Sequence, residues 1–146
     1  MASNGKQFKA TLGAWALKAG DKLDALARQS ALQLSEDVVK ATPVDTGFLR
    51  GSWQPSIGAP AGGGGALDAS GAAAQASVTL AVQGLQRGDR FFLTNNARYA
   101  MRLEYGFVGQ DSLGRTYNQT GRFFVGNAVK RWPRIVDRVA KELKLS

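Results

Sequence analysis

No cysteine and no histidine occurs among the 146 residues of this chain. The first absence removes disulfides, thiolate metal sites and cysteine nucleophiles. The second removes the commonest general base and the commonest zinc ligand, and with them Ser-His-Asp and Cys-His catalysis. Proline is scarce, at four residues, so each one marks a particular place in the chain. No apolar run approaches the roughly eighteen residues of a membrane span, and the start lacks a signal-peptide core. We therefore expect a chain made in the cytoplasm, with no membrane contact. Acidic residues are also few, 11 against 19 basic ones, for a formal charge of +8.

What is present is ordinary for a globular chain. Hydrophobic residues make up 44% and charged residues 21%, enough for one core, so a single domain over residues 1–146 is expected. The charge is uneven: residues 1–73 hold seven Lys/Arg against six Asp/Glu, and residues 74–146 hold twelve against five. A basic second half suits a polyanion or an acidic partner protein, and a solubilising face has the same composition.

From Lys6 to Ala41 the positions Phe8, Leu12, Trp15, Ala19, Leu23, Leu26, Ser30, Leu34, Val38 and Ala41 recur every three or four residues. That period predicts one long helix, preceded by a frayed terminus over residues 1–5. Gly13 and Gly20 each weaken it by about 1 kcal/mol relative to Ala. Leu17, Leu32 and Val39 fall off the stripe, where core packing or a neighbouring subunit would cover them. Pro43 ends the helix, because it lacks an N–H and biases Thr42 away from the α region. Asp45 suits an Asx-type turn and Gly47 permits a positive φ. After the turn, Phe48, Arg50 and Ser52 alternate with Leu49, Gly51 and Trp53, which predicts a strand running to about Ile57.

Residues 58–76, with four consecutive glycines at Gly62–Gly65, read as a long flexible loop between two strands. No Gly-Lys-Ser/Thr follows, so it is not a phosphate cradle. Ser77–Gln83 alternates and places Val78, Leu80 and Val82 on one face of a strand; Gln86–Asp89 turns, and Arg90–Asn95 returns as the next strand. Arg87-Gly88-Asp89 has the composition of an integrin ligand, but turn chemistry accounts for it. Asn95-Asn96 leads into a short helix over Arg98–Tyr105, with Tyr99, Ala100 and Leu103 on one side and Arg98 and Arg102 on another. Val108–Gln119 reads as a polar loop.

The last helix starts near Phe124, and Val125, Ala128/Val129, Trp132, Ile135/Val136, Val139 and Leu143 form its core stripe. Pro133 kinks or restarts it. Opposite lie Lys130, Arg134, Arg138 and Lys141, a candidate electrostatic interface that an ordinary solvated helix face would also produce.

Asp45-Thr46-Gly47 is the triplet of aspartic proteases, in which two copies share one proton between carboxylates. A single copy would need a homodimer, and Phe48 stands where that pattern wants a small residue. The longer string Thr42-Pro43-Val44-Asp45-Thr46-Gly47-x-Leu49-Arg50-x-Ser52 resembles the opening signature of the tail-completion (head–tail joining, neck) proteins of long-tailed bacteriophages. Tyr99-Ala100-x-x-Leu103-Glu104-Tyr105-Gly106 is similar to a second motif of that family. Gly121-Arg122-Phe123-Phe124-Val125-Gly126-Asn127-Ala128 is similar to a third, with Phe123 in place of the usual proline. The three lie in the family's order between residues 41 and 128.

The resemblance implies an α+β fold in which a long N-terminal helix and a C-terminal helix pack on a small, mainly antiparallel sheet. It implies a virion protein of the neck or upper tail: a homo-oligomeric ring, six-fold, that completes the tail and joins it to the head connector. Its partners would be further copies of itself, head-connector and tail-tube proteins, with non-specific contact to passing DNA. No catalysis, cofactor or metal is implied. The motif residues carried over are Pro43, Asp45, Thr46, Gly47, Leu49, Arg50, Ser52, Tyr99, Ala100, Glu104, Gly106, Phe124 and Ala128. Glu104, a carboxylate without a partner acid or His, is expected to bind an Arg side chain or backbone N–H groups. A tail-terminator ring is the alternative within the same class. From another class, the charge suggests a non-specific nucleic-acid-binding module, although no helix-turn-helix, zinc, KH or RNP signature appears.

Overall fold

The computed structural model describes the backbone of residues 2–145 and the side chains of residues 18–145. The chain runs α1 (Ala2–Ala41), α2 (Phe48–Gly51), β1 (Trp53–Ile57), α3 (Ala72–Val82), β2 (Phe91–Asn95), α4 (Ala100–Tyr105), β3 (Gly106–Gln110), β4 (Thr116–Thr120), α5 (Phe124–Lys130) and α6 (Trp132–Glu142). This is an α+β fold, with a long helix first, helices last, and two separate two-stranded antiparallel sheets, β1–β2 and β3–β4.

Helix α1 has 40 residues, about 60 Å at the α-helical rise. It already includes residues 2–5 and passes through Gly13 and Gly20, since a glycine lowers helix propensity without removing a hydrogen bond. The side chains of Phe8, Leu12, Trp15 and Leu17 lie outside the described residues. Further along, α1 buries more than one stripe. Val39, off the predicted face, is fully buried, whereas Leu23, on it, is exposed. The reason is that α3 packs on α1 as well as α5 and α6, so its covered surface is broad. Two clusters make the core: Val38, Val39, Leu49, Trp53, Ala74, Phe124 and Ala128 in one, Ala31, Val78, Val82 and Leu85 in the other. Leu93 of β2 touches both.

Three predicted elements differ. Phe48–Gly51 is a helical turn rather than the start of a strand, and the strand begins at Trp53. Gly47 at φ 87° turns the chain so that the Gly51 N–H donates to the Gly47 carbonyl at 2.9 Å. Residues 77–82 belong to α3, not to a strand: Val78 and Val82 sit four residues apart on its buried face and Leu80 points out, 72% exposed. Alternation every second residue contains a repeat of four, and the alanines upstream favour the helix. The segment 58–76 therefore loses its end to α3, and its irregular part lies against β1. There Gln54 Nε2 donates to the Gly63 carbonyl at 2.6 Å and Asn96 Nδ2 to that of Ala61 at 3.0 Å. Finally, Val108–Gln119 is mostly the β3–β4 hairpin. Asp111 builds its turn by accepting the N–H groups of Leu113 and Arg115, both at 2.9 Å.

The C-terminal helix restarts at Trp132, with Pro133 in the first turn of α6, where its missing N–H has no helical partner to lose. The restart buries Ile135 and Val139 but leaves Val129 and Trp132 exposed, so those two leave the predicted core stripe. No helix among the described residues is long and apolar enough to cross a membrane.

Candidate functional site

The first motif forms a clamp at the end of α1. Thr42 Oγ1 donates to the Val38 carbonyl at 2.7 Å and accepts the Trp53 indole N–H at 2.8 Å, tying the helix end to β1. Pro43 follows it. Asp45 is exposed and accepts no hydrogen bond among the described residues. The expected Asx turn is replaced by the corresponding ST turn at Thr46, whose Oγ1 accepts the Phe48 N–H at 3.3 Å. Leu49 is buried in the core and its carbonyl accepts from Asn95 Nδ2 at 2.8 Å. Arg50 folds back and donates to three carbonyls: Thr42 at 2.8 Å, Lys40 at 3.0 Å and Ala69 at 2.9 Å. The Lys40 carbonyl has no onward helical donor, so the guanidinium caps the negative end of α1. Ser52 is buried and its Oγ donates to the Phe48 carbonyl at 2.5 Å, closing the helical turn.

The second and third motifs meet each other. Tyr99 stands at the N-cap of α4, partly exposed, and Ala100 packs on the core. Glu104 is buried; Oε2 accepts the Val125 N–H and Oε1 the Gly126 N–H, each at 2.9 Å. Backbone bonds run alongside, from Arg122 N–H to the Leu103 carbonyl at 2.7 Å and from Phe123 N–H to the Glu104 carbonyl at 3.0 Å. Gly106, at φ 88°, ends α4 and opens β3. Phe123 adopts φ 49°, a left-handed conformation that the proline of the resembled motif cannot take. Phe124 and Ala128 then enter the cluster that also holds Leu49 of the first motif and Trp53 just after it.

The basic residues Lys130, Arg134, Arg138 and Lys141 are all exposed. Two have acidic partners on their own helix, Lys141 with Asp137 at 3.0 Å and Arg138 with Glu142 at 4.0 Å. Such exposed pairs contribute little, and Lys130 and Arg134 have no acidic partner among the described residues. Arg87-Gly88-Asp89 is held in its turn: Arg87 Nε bonds Asp24 at 3.0 Å and Asp89 accepts the Gln86 N–H at 2.8 Å. No group of three His, Cys, Asp or Glu that could hold a metal occurs among the described residues.

Asp68 and Asp111 lie outside the sequence motifs. Asp68 caps α3 through the N–H groups of Ala73 at 3.0 Å and Ala74 at 3.3 Å. Burial opposes its ionisation, but the N–H groups of Ala74, Ala73 and Gly71 and the Ser70 hydroxyl outweigh it and hold its carboxyl below the usual value. An acid ahead of an alanine run is a legible cap signal. An apolar groove of about 470 Å³ opens between α1, β2 and α5, lined by Leu34, Val38, Phe91, Leu93, Val129 and Trp132 among others. It joins residues far apart in the chain, and nothing local announces it. Comparisons of the chain with protein-family models, curated proteins and solved structures gave no match.

Proposed function

We propose that the chain is a structural virion protein, a subunit of a homo-oligomeric ring at the neck or upper tail of a long-tailed phage. The ring completes the tail and joins it to the head connector. One observation carries the reading: three motif stretches far apart in the chain meet in one frame, the second and third joined by Glu104 at the α5 start and both sharing a core cluster with Leu49 of the first. The residues that bear the resemblance thus serve to hold elements in register. A joint needs rigid surfaces for its neighbours. In a ring, Lys130 and Arg134 would attract the phosphates of passing DNA without reading its bases.

The test adds purified chain to tails and to head connectors from the phage that encodes it, each lacking its own joining protein. Co-sedimentation with tails and restored joining are expected. A chain that joins neither, yet binds random-sequence DNA with a steep salt dependence, would replace this reading with the nucleic-acid-binding module. A chain found at the tail end but dispensable for joining would make it a tail terminator.

A further inference from the structure

Both sheets stop at two strands, and the direction of each amide shows which edges are open. In β1–β2 the Gly58 N–H donates to the Arg90 carbonyl at 2.8 Å, so hydrogen-bonded pairs fall at Ser56–Phe92 and Gln54–Thr94. The Pro55 nitrogen therefore faces away from β2, and the outer edge of β1 is interrupted by a residue without an N–H. The edge of β2 has no such block. The amide groups of Phe91 and Leu93 point outward and meet no hydrogen-bond partner among the described residues, and no residue of Phe91–Asn95 is charged. Beside this strand lies the mainly apolar groove, about 470 Å³, lined also by α1, by the turn at residues 85–89 and by Val129 and Trp132.

The chain also carries a strand that fits. None of the ten residues of β3 and β4 is charged or proline, in a chain that is 21% charged. Natural free edges are guarded by lysine, proline or bulges, and this ribbon has none of them. The Asp111 N–H donates to the Arg115 carbonyl at 3.0 Å, so by the same alternation the Val108 amide points outward from β3. The Val108 side chain is 77% exposed, and Leu113 at the hairpin tip is 75% exposed. The ribbon packs mainly on α4 and buries none of its own strand residues. A lone two-stranded ribbon is marginal in water and gains from a third strand.

We infer that β3 of one copy adds to the β2 edge of a second copy, with Val108 facing the groove, so that two half-sheets join across the contact. The occupant is a second copy because the chain carries both halves of the fit. The residues of β2 and β3 themselves are uncharged on a molecule of charge +8, and the groove beside β2 carries one charge of each sign, Arg87 and Asp89, so copies can meet there without a net opposition of like charges. The two surfaces differ, so the contact is head-to-tail and repeats. Its closure into a ring rests on the function proposed above; the pairwise contact does not.

The test uses the full chain and reads native mass across a concentration series, with thermal melting as the check on folding. Val108→Pro removes the outward N–H and spares the ladder to β4, whereas Asn118→Pro does the same on the β4 edge and serves as the control. Val129→Asp puts a carboxylate on the groove wall. Val108→Lys, a change at an exposed position, keeps the test open if the proline variant does not fold. The wild type and Asn118→Pro are expected to assemble. The Val108 and Val129 variants should need roughly tenfold or more higher concentration to do so. An equimolar mixture of Val108→Pro and Val129→Asp should form one-to-one dimers that grow no further, because each retains one intact surface. Assembly that survives the Val108 and Val129 changes overturns this contact and leaves the ring reading standing. A wild-type chain that stays monomeric also overturns it; whether that chain still joins tails to connectors decides the ring reading separately.

Discussion

Glu104 and Gly126 are matched across 22 residues: Oε1 accepts the Gly126 N–H at 2.9 Å, and a Cβ added at 126 would lie 3.3 Å from that same oxygen. With Oε2 on Val125, one carboxylate takes the amides of the second and third residues of α5. α5 has no side-chain cap of its own, so a residue from α4 supplies it.

Glu104→Gln should lower stability by about 1–3 kcal/mol, because an amide NH₂ then faces a backbone N–H in a buried site. Glu104→Ala should cost at least as much. Denaturant unfolding checks this, and an unchanged midpoint for both variants would show that the cap contributes nothing.

Arg50→Lys keeps the charge but not the fork that reaches three carbonyls. A loss of about 1–2 kcal/mol is expected. Amide hydrogen exchange should rise at the end of α1 and near residue 69; a uniform rise across the chain would instead indicate that no local clamp exists.

Phe123→Pro tests the departure from the resembled motif. Proline holds φ near −65°, and the residue stands at φ 49° with its N–H donated to Glu104. A loss of about 3 kcal/mol or more is expected. A variant as stable as wild type would mean that this turn takes the proline conformation after all.

The depressed Asp68 carboxyl makes stability depend on pH with a definite sign. Its folded pKa lies below 3.8, so the unfolded chain binds more protons as the solution is acidified. The stabilisation is full above the unfolded value and is lost as pH falls through the lowered folded one. Asp68→Asn should flatten that part of the profile of unfolding midpoint against pH. Asp111, held low by Arg115 and its turn amides against burial, should contribute separately with the same sign.

Much of the frame was legible because it is written in backbone restrictions. Pro43 and Gly47 mark the α1 end and the turn wherever they are packed, and Pro133 marks the restart of α6. The same rules misjudged Asp45, since Thr46 offers an equivalent oxygen one residue on and the geometry of α2 selected it. They also misjudged Ser77–Gln83. Val78, Leu80 and Val82 satisfy two periods, and the choice between them depends on whether Leu80 has a surface to meet.

From the sequence alone came a long first helix, a broken last one, a turn at Gly47 and a chain without thiol or imidazole chemistry. Each follows from local dihedral limits, hydrophobic period or simple composition. Tertiary structure alone decided that Val39 is core and Leu23 is not, that Glu104 reaches α5 rather than an arginine, and that β2 borders an open groove. Those outcomes depend on which surfaces distant segments bring together, and burial is a property of neighbours rather than of residues.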